Sequence, residues 1–251
     1  MPAQGGYGKI RLFDDFCGPE IPVANAVAYG TSAGGCNYYI GPYSVKGDLG
    51  ETDTGVVSLS KAGGYIRISG NNEDGKGVAL CTEIVFSPAL NGPLAIEARI
   101  ERQVLTAGVV FVGFCGTAAD DIAEPLTATG TTLTLTAANL CGFLLDSQLT
   151  AADGLWHMPY NGGATTGVTL STTVESNKTA IAAESDIVRL EIDPNGTARW
   201  YINGDLEQTV VGAVSTTTLQ AAMVGCWGTT TTAADLDVDY MAVEANRDWT
   251  R

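Results

Sequence analysis

A single histidine, His157, stands among 251 residues, so any nucleophile that needs an imidazole base has one choice. It lies in the aromatic run Leu155-Trp156-His157-Met158-Pro159-Tyr160, a setting that favours a structural role. Cations are scarce too: 13 Lys and Arg stand against 28 Asp and Glu, for a formal net charge of −15. Nucleic-acid backbones and anionic membranes are held by clustered Lys and Arg, so neither is an expected partner. Solubility and repulsion between copies are what such a charge gives. No apolar run approaches the ~20 residues of a membrane-spanning helix, and no segment sustains a helical period. The opening MPAQGGYGKIRLF has no charged start leading into an apolar stretch, so no secretory signal is expected. Phosphate-cradling G-x-x-x-x-G-K-[ST] and EF-hand D-x-[DN]-x-[DN]-G runs are missing as well.

The six cysteines, at 17, 36, 81, 115, 141 and 226, include no C-x-x-C pair, which argues against zinc or dithiol redox chemistry. Cys81, Cys115, Cys141 and Cys226 sit in apolar runs and read as free thiols packed as small hydrophobes. Cys17 and Cys36 are the best-placed loop pair for a disulfide formed outside a cell.

What the chain has in plenty is glycine, 31 residues of it, with many threonines, a composition of strands and turns. The clearest stretch is residues 187–211. Val188, Leu190 and Ile192 alternate with Arg189, Glu191 and Asp193, the period of a half-buried strand. Pro194-Asn195-Gly196 reverses the chain. Ala198, Trp200 and Ile202 then point inward, with Arg199 and Tyr201 outward. Asn203-Gly204 predicts a type I′ hairpin, and residues 206–211 a third strand.

Elsewhere, strands are expected at residues 9–13, 56–60, 65–69, 78–86, 94–102, 109–115, 140–146, 219–227 and 236–244. The spacing of turns is that of a sandwich. In the last strand, strict alternation sets Leu236, Val238 and Tyr240 against Asp235, Asp237 and Asp239. Residues 1–8 read as a flexible arm and 9–251 as one β-sandwich domain. Long loops are expected at 17–55, with a strand near Cys36 to Ile40, and at 116–138 and 161–177.

Arg189–Asp193, Asn195-Gly196, Trp200–Gly204 and the closing residues 237–243 carry a family resemblance. They resemble the concanavalin A-like lectin and glucanase sandwich, with its laminin-G-like and pentraxin-like members. Phe13–Phe16, Gly77–Ala79, Leu94–Ile100 and Val109–Gly113 also look like structural proteins of tailed-bacteriophage virions. The resemblance implies an all-β fold of two antiparallel sheets in jelly-roll order, first and last strands adjacent. Its motifs specify architecture better than activity.

Glucanases of this fold carry an E-x-D-x-E strand, with the acids on one face flanking a glycosidic bond. Here Glu191 and Asp193 supply two positions, and Asn195 stands where the third acid belongs. Asp235, Asp237 and Asp239 include no Glu. Catalysis is therefore not expected. Calcium takes several hard oxygens, and Asp14, Asp15, Asp237 and Asp239 are the candidates for it. An exposed ring could stack on a sugar, and Trp156, Tyr160, Trp227 and Trp249 are candidates for that. The expected function is a non-enzymatic virion protein, a capsid decoration or cement protein. Its partners would be the major capsid protein and copies of itself in a homo-oligomer, contacted through the arm and the loops 116–138 and 161–177. A carbohydrate-binding module of a tail fibre stands second, and a glucan hydrolase third.

Overall fold

A computed structural model describes residues 8–18, 39–47, 55–70, 72–118, 124–150, 154–229 and 234–247. The strands in chain order begin with β1 (Lys9–Asp14), β2 (Tyr39–Ile40), β3 (Tyr43–Gly47), β4 (Gly55–Leu59), β5 (Tyr65–Ser69) and β6 (Gly77–Cys81). After the short helix α1 (Pro88–Asn91) come β7 (Leu94–Glu101), β8 (Val109–Cys115), β9 (Leu126–Thr129), β10 (Thr132–Leu135) and β11 (Leu140–Asp146). Next are β12 (Leu155–His157), β13 (Tyr160–Asn161), β14 (Glu175–Thr179), β15 (Ser185–Ile192) and β16 (Ala198–Ile202). The series closes with β17 (Asp205–Val210), β18 (Ala221–Trp227) and β19 (Asp235–Asn246).

All of these strands except β9 and β10, which pair with each other, form two antiparallel sheets. One runs β17-β16-β15-β7-β19-β5-β4, with β1 beside the second half of β19, so first and last strands are neighbours. The other runs β14-β12-β11-β8-β18-β6-β3-β2, with β13 on β11. The meander read from residues 187–211 is β15, β16 and β17; β15 and β16 pair in the expected register, while β17 bulges opposite Trp200 and Tyr201. Val188, Leu190, Ile192, Ala198, Trp200 and Ile202 are all fully buried. Asn203 and Gly204 both take positive φ, 52° and 88°, as a type I′ turn demands. The Asn203 carboxamide reinforces that turn, accepting from Ile187 N–H and donating to Asp186.

Between the sheets, Phe143, Val112, Phe114, Val224 and Leu80 meet Ile96, Ile100, Leu190 and Val243 in one continuous core. Trp200 crosses it and donates Nε1–H to the Gly142 carbonyl at 2.8 Å. The nine-stranded sheet is buried at every position of β6, β8, β11 and β18. Strands buried on every residue are covered on both faces. Its reverse face carries Phe111, Leu144, Met223 and Trp227, with glycines set beneath the rings. A Cβ on Gly225 would run into the six-membered ring of Trp227, and one on Gly142 would lie 2.6 Å from the Phe111 ring.

Four expectations change here. Within 17–55, β3 is a buried strand paired with β2 and β6. The stretch 116–138 is no open loop: β9 and β10 pair as a hairpin. Leu126, Ala128 and Leu133 of that hairpin are buried in continuity with the core, and Thr129, Thr132 and Thr134 face out. It forms part of the cover on the reverse face. Within 161–177, Asn161 ends β13 and residues 175–177 begin β14. Finally, a bulge at Asp239 breaks the alternation of β19. Beyond it Met241, Val243 and Ala245 take the inward positions, and Tyr240 turns outward to donate its hydroxyl to Glu97 at 2.8 Å. Cys81, Cys115, Cys141 and Cys226 are buried free thiols, and burial pushes Cys115 up to about 11. Cys17 is exposed, with its Sγ 3.2 Å from the Gly63 carbonyl, while Cys36 lies outside the described residues, as do Trp249 and residues 1–7 of the arm.

Candidate functional site

The outer face of the eight-stranded sheet holds the acids that the sequence singled out. Because side chains alternate along a strand, Arg189 and Glu191 of β15 project there together. Beside them stand Glu97, Arg99 and Glu101 of β7, Arg199 of β16, Arg67 of β5 and Glu244 of β19. Arg189 is the hub at one end, with Nε 2.8 Å from Glu191, Nη1 3.2 Å from Glu97 and Nη2 3.9 Å from Glu244. Arg11 of β1 also reaches Glu244, at 2.7 Å, and Arg199 reaches Asp193 at 2.7 Å.

Where Glu191 faces the small side chain of Ala95, this lattice is interrupted by a groove of 440 Å³. Lys9, Arg11 and Arg189 line it against Glu191, Asp193 and Glu244, over Ile10, Pro93 and Leu94. Three cations against three carboxylates leave it close to neutral. Such a lining offers many hydrogen bonds and no strong field, which suits an uncharged polar ligand. Glu191 and Asp193 are one-third exposed, and each accepts a bond from a guanidinium.

The calcium candidates do not meet in one site. Asp237 is almost fully buried and takes both a 2.7 Å and a 3.1 Å bond from Arg67, a further bond from Gln103, and Lys61 at 3.9 Å. Asp239 accepts from Arg99 at 2.5 Å. Asp14 and Asp15 accept from the backbone N–H groups of Phe16 and Cys17. Among the described residues no three His, Cys, Asp or Glu side chains converge as a metal would need.

Three of the four rings proposed for sugar stacking are buried, and the fourth, Trp249, lies outside the described residues. Trp156 is 1% exposed, Tyr160 7% and Trp227 0%. Trp156 donates to Asp186 at 2.9 Å and packs edge-on to Phe143, and Tyr160 leans on Trp200. Trp227 lies flat over Gly225 and Gly77 on the covered reverse face. None of the three presents a face to a ligand in this arrangement. His157 is buried too, 3.9 Å from Glu175, and burial pushes its imidazole below the ordinary value against the pull of that carboxylate.

A second group of charges went unread in the sequence. Arg102, Glu124 and Asp146 are 3%, 6% and 0% exposed. Arg102 Nε and Nη2, Glu124 Oε1 and Asp146 Oδ2 have no hydrogen-bonding partner among the described residues. Burial, with Asp146 and Asp74 nearby, pushes Glu124 up to about 8. Burial likewise raises Asp146 to about 6, against the Gln148 N–H and Arg102. The one sign of Asp146 in the sequence is a carboxylate closing a wholly apolar run, LCGFLL.

No protein-family model matches the chain, and no curated protein matches it. Solved structures do. A protein of unknown function from Shewanella oneidensis MR-1 is 11% identical with a TM-score of 0.54, over 97% of this chain and 89% of that one. Peanut lectin with a nine-residue peptide is 13% identical, TM-score 0.51, over 95% and 97%. A Bacteroides ovatus GH16 protein from a mixed-linkage glucan locus, in complex with the product G4G4G3G, is 11% identical, TM-score 0.51, over 92% and 98%. The chain therefore has the concanavalin A-like jelly-roll fold that lectins and glucanases share.

Proposed function

We propose that this chain is a non-enzymatic structural protein of a tailed-bacteriophage virion, a capsid decoration protein that binds the major capsid protein and copies of itself. The observation that supports this reading is where apolar surface lies. The reverse face of one sheet is covered and the outer face of the other is an ion-pair lattice. Among the exposed large apolar side chains, Ile84, Val85, Leu90 and Leu219, 37–52% exposed, lie on segments that meet at the α1 end. Two backbone bonds join their segments, Val85 N–H to Gln220 O at 3.2 Å and Ala89 N–H to Thr216 O at 2.9 Å. Fully burying an exposed side chain of this size is worth about 1.5–3 kcal/mol, so covering these half-exposed ones gains about half of that each, and lattice symmetry repeats the contact many times.

The test is cryo-electron microscopy of native particles together with a head-binding assay. Density at local symmetry axes of the capsid is expected, and Val85→Asp and Leu219→Asp are each expected to weaken head binding by about tenfold or more. Density confined to a tail would overturn the head assignment and favour a second reading, a carbohydrate-binding module that uses the Arg189–Glu191 groove. Under that reading Glu191→Gln and Arg189→Met abolish binding on a glycan array. Unchanged glycan binding in both variants would remove it.

A further inference from the structure

The hairpin of β9 and β10 is fastened to the body at its tip and along one side. At the tip, Gly130 N–H donates to Gln148 O at 3.2 Å, and Thr150 N–H to Gly130 O at 2.9 Å. Along β10, Leu133 N–H donates to Thr169 O at 2.8 Å, and Ser171 N–H to Thr131 O at 3.0 Å. Its base is fastened differently. There the two legs close on Glu124-Pro125: Thr136 Oγ1 donates to Glu124 O at 2.6 Å, and Thr136 and Ala137 N–H both reach Pro125 O. From that point the Glu124 side chain enters a buried place already occupied by charge.

Asp146 at the end of β11, Asp74 in the turn before β6, and Arg102 after β7 bear on this place electrostatically, as do Asp235 of β19 and Cys226 of β18. Arg102 is the buried cation among them, and it makes no ion pair with Asp146 or Glu124: its Nε and Nη2 are without hydrogen-bonding partners among the described residues. Its Nη1 turns to the Gly108 carbonyl at 3.5 Å. The base of the hairpin thus carries a buried carboxyl group whose Oε1 has no hydrogen-bonding partner and which pairs with no cation among the described residues, with Asp146 and Asp74 bearing on it.

We propose that this base is a proton-operated clasp: with Glu124 protonated the hairpin closes over the reverse face of the nine-stranded sheet, and with Glu124 and Asp146 both ionised the base lets go. Two carboxylates buried near each other cannot both hold their charge without leaving the low-dielectric site or expelling one partner. Glu124 sits on the element with the smaller footing, so it is the one that moves. Release uncovers apolar side chains of the hairpin, Leu126, Ala128 and Leu133, and the sheet face beneath.

The direction follows from linkage. Between the ordinary carboxyl value of 4.5 and about 8, the open chain has lost the Glu124 proton and the closed one keeps it. Closure therefore weakens as pH rises through that interval, and its proton-linked stability is gone above about 8. Asp146 adds a smaller contribution of the same sign between 3.8 and about 6.

Hydrogen–deuterium exchange of the intact chain tests this. On going from about pH 6 to about pH 9, after correction for intrinsic rates, the amides of residues 126–135 are expected to lose protection by about tenfold or more. Those of residues 185–210 should hold theirs. Glu124→Gln should keep the hairpin protected at the higher pH, and Asp146→Asn should reduce the loss. Unchanged wild-type protection overturns the proposal, as does a loss of equal size in Glu124→Gln. A loss spread evenly through residues 185–210 also overturns it, because that is the signature of general repulsion in an acidic chain.

Discussion

Trp200→Ala is expected to destabilise the protein by about 3–5 kcal/mol, the cost of removing a buried indole and leaving a cavity. Trp200 is fully buried in β16 of one sheet, and its Nε1–H reaches across to the Gly142 carbonyl in β11 of the other. The side chain is thus a rivet between layers as well as a volume filler. Tyr160 packs on it at a centroid distance of 6.1 Å, so the loss reaches β13 as well. Urea unfolding followed by circular dichroism measures the cost. Trp200→Phe separates the two contributions: it keeps most of the volume, removes the donor, and should cost about 1–3 kcal/mol. A Trp200→Ala cost below about 1 kcal/mol would mean that the two sheets do not depend on this contact.

That rivet was readable in the sequence because everything around it agrees. Alternation in 187–192 and 198–202, a Pro-Asn-Gly reversal and an Asn-Gly hairpin all require one register, and a slip of one residue would have turned Trp200 to water. The outcome at β19 was harder to read because a bulge leaves no residue-type signature. Its trace is a change of phase: Val238 to Met241 is a step of three, after which Met241, Val243 and Ala245 alternate again. Reading the segment as unbroken sent Tyr240 inward.

The described stacking candidates are buried for a tertiary reason. Trp156 and Trp227 belong to a sheet covered on both faces, and the cover includes a Thr-rich stretch that looks like a loop by composition. Within it, Leu133 and Leu135 alternate with Thr132 and Thr134, so the strand period was present and was outweighed by threonine content. The charged cluster of Arg102, Glu124 and Asp146 could not have been found this way. Its members come from three distant segments and matter only because folding closes over all of them.

Asp237→Ala is expected to cost about 3 kcal/mol, near the lower end of the range for breaking a buried ion pair. The carboxylate is 2% exposed and receives Arg67 through two bonds, with Gln103 and Lys61 completing its surroundings. Removing it leaves Lys61 to Glu101 alone and strips the Arg67 fork of its two-bond acceptor, leaving it Asp235 at 3.5 Å. Arg67 is 29% exposed, so water recovers part of the loss, which places the cost at the lower end. Asp239→Ala, two residues along, should cost no more than about 1 kcal/mol, because its partner Arg99 is 41% exposed and solvent screens the pair.

The contrast between these neighbours separates an ion-pair lattice from a calcium site. Were the two aspartates ligands of one ion, both variants would cost alike and EDTA would lower the thermal midpoint of the wild type. With guanidinium partners the costs differ, and EDTA leaves the midpoint unmoved. The acid side of the stability profile supplies the same test independently. Burial alone would raise Glu101, but hydrogen bonds from Lys61 and Gln103 hold it below the usual carboxylate value. Its contribution is therefore present above the ordinary value of 4.5 and lost as pH falls through the lowered one. In Lys61→Met that acid-side loss should shrink, with or without added calcium. An acid-side loss in Lys61→Met as large as in the wild type would mean that Lys61 is not what holds Glu101 down.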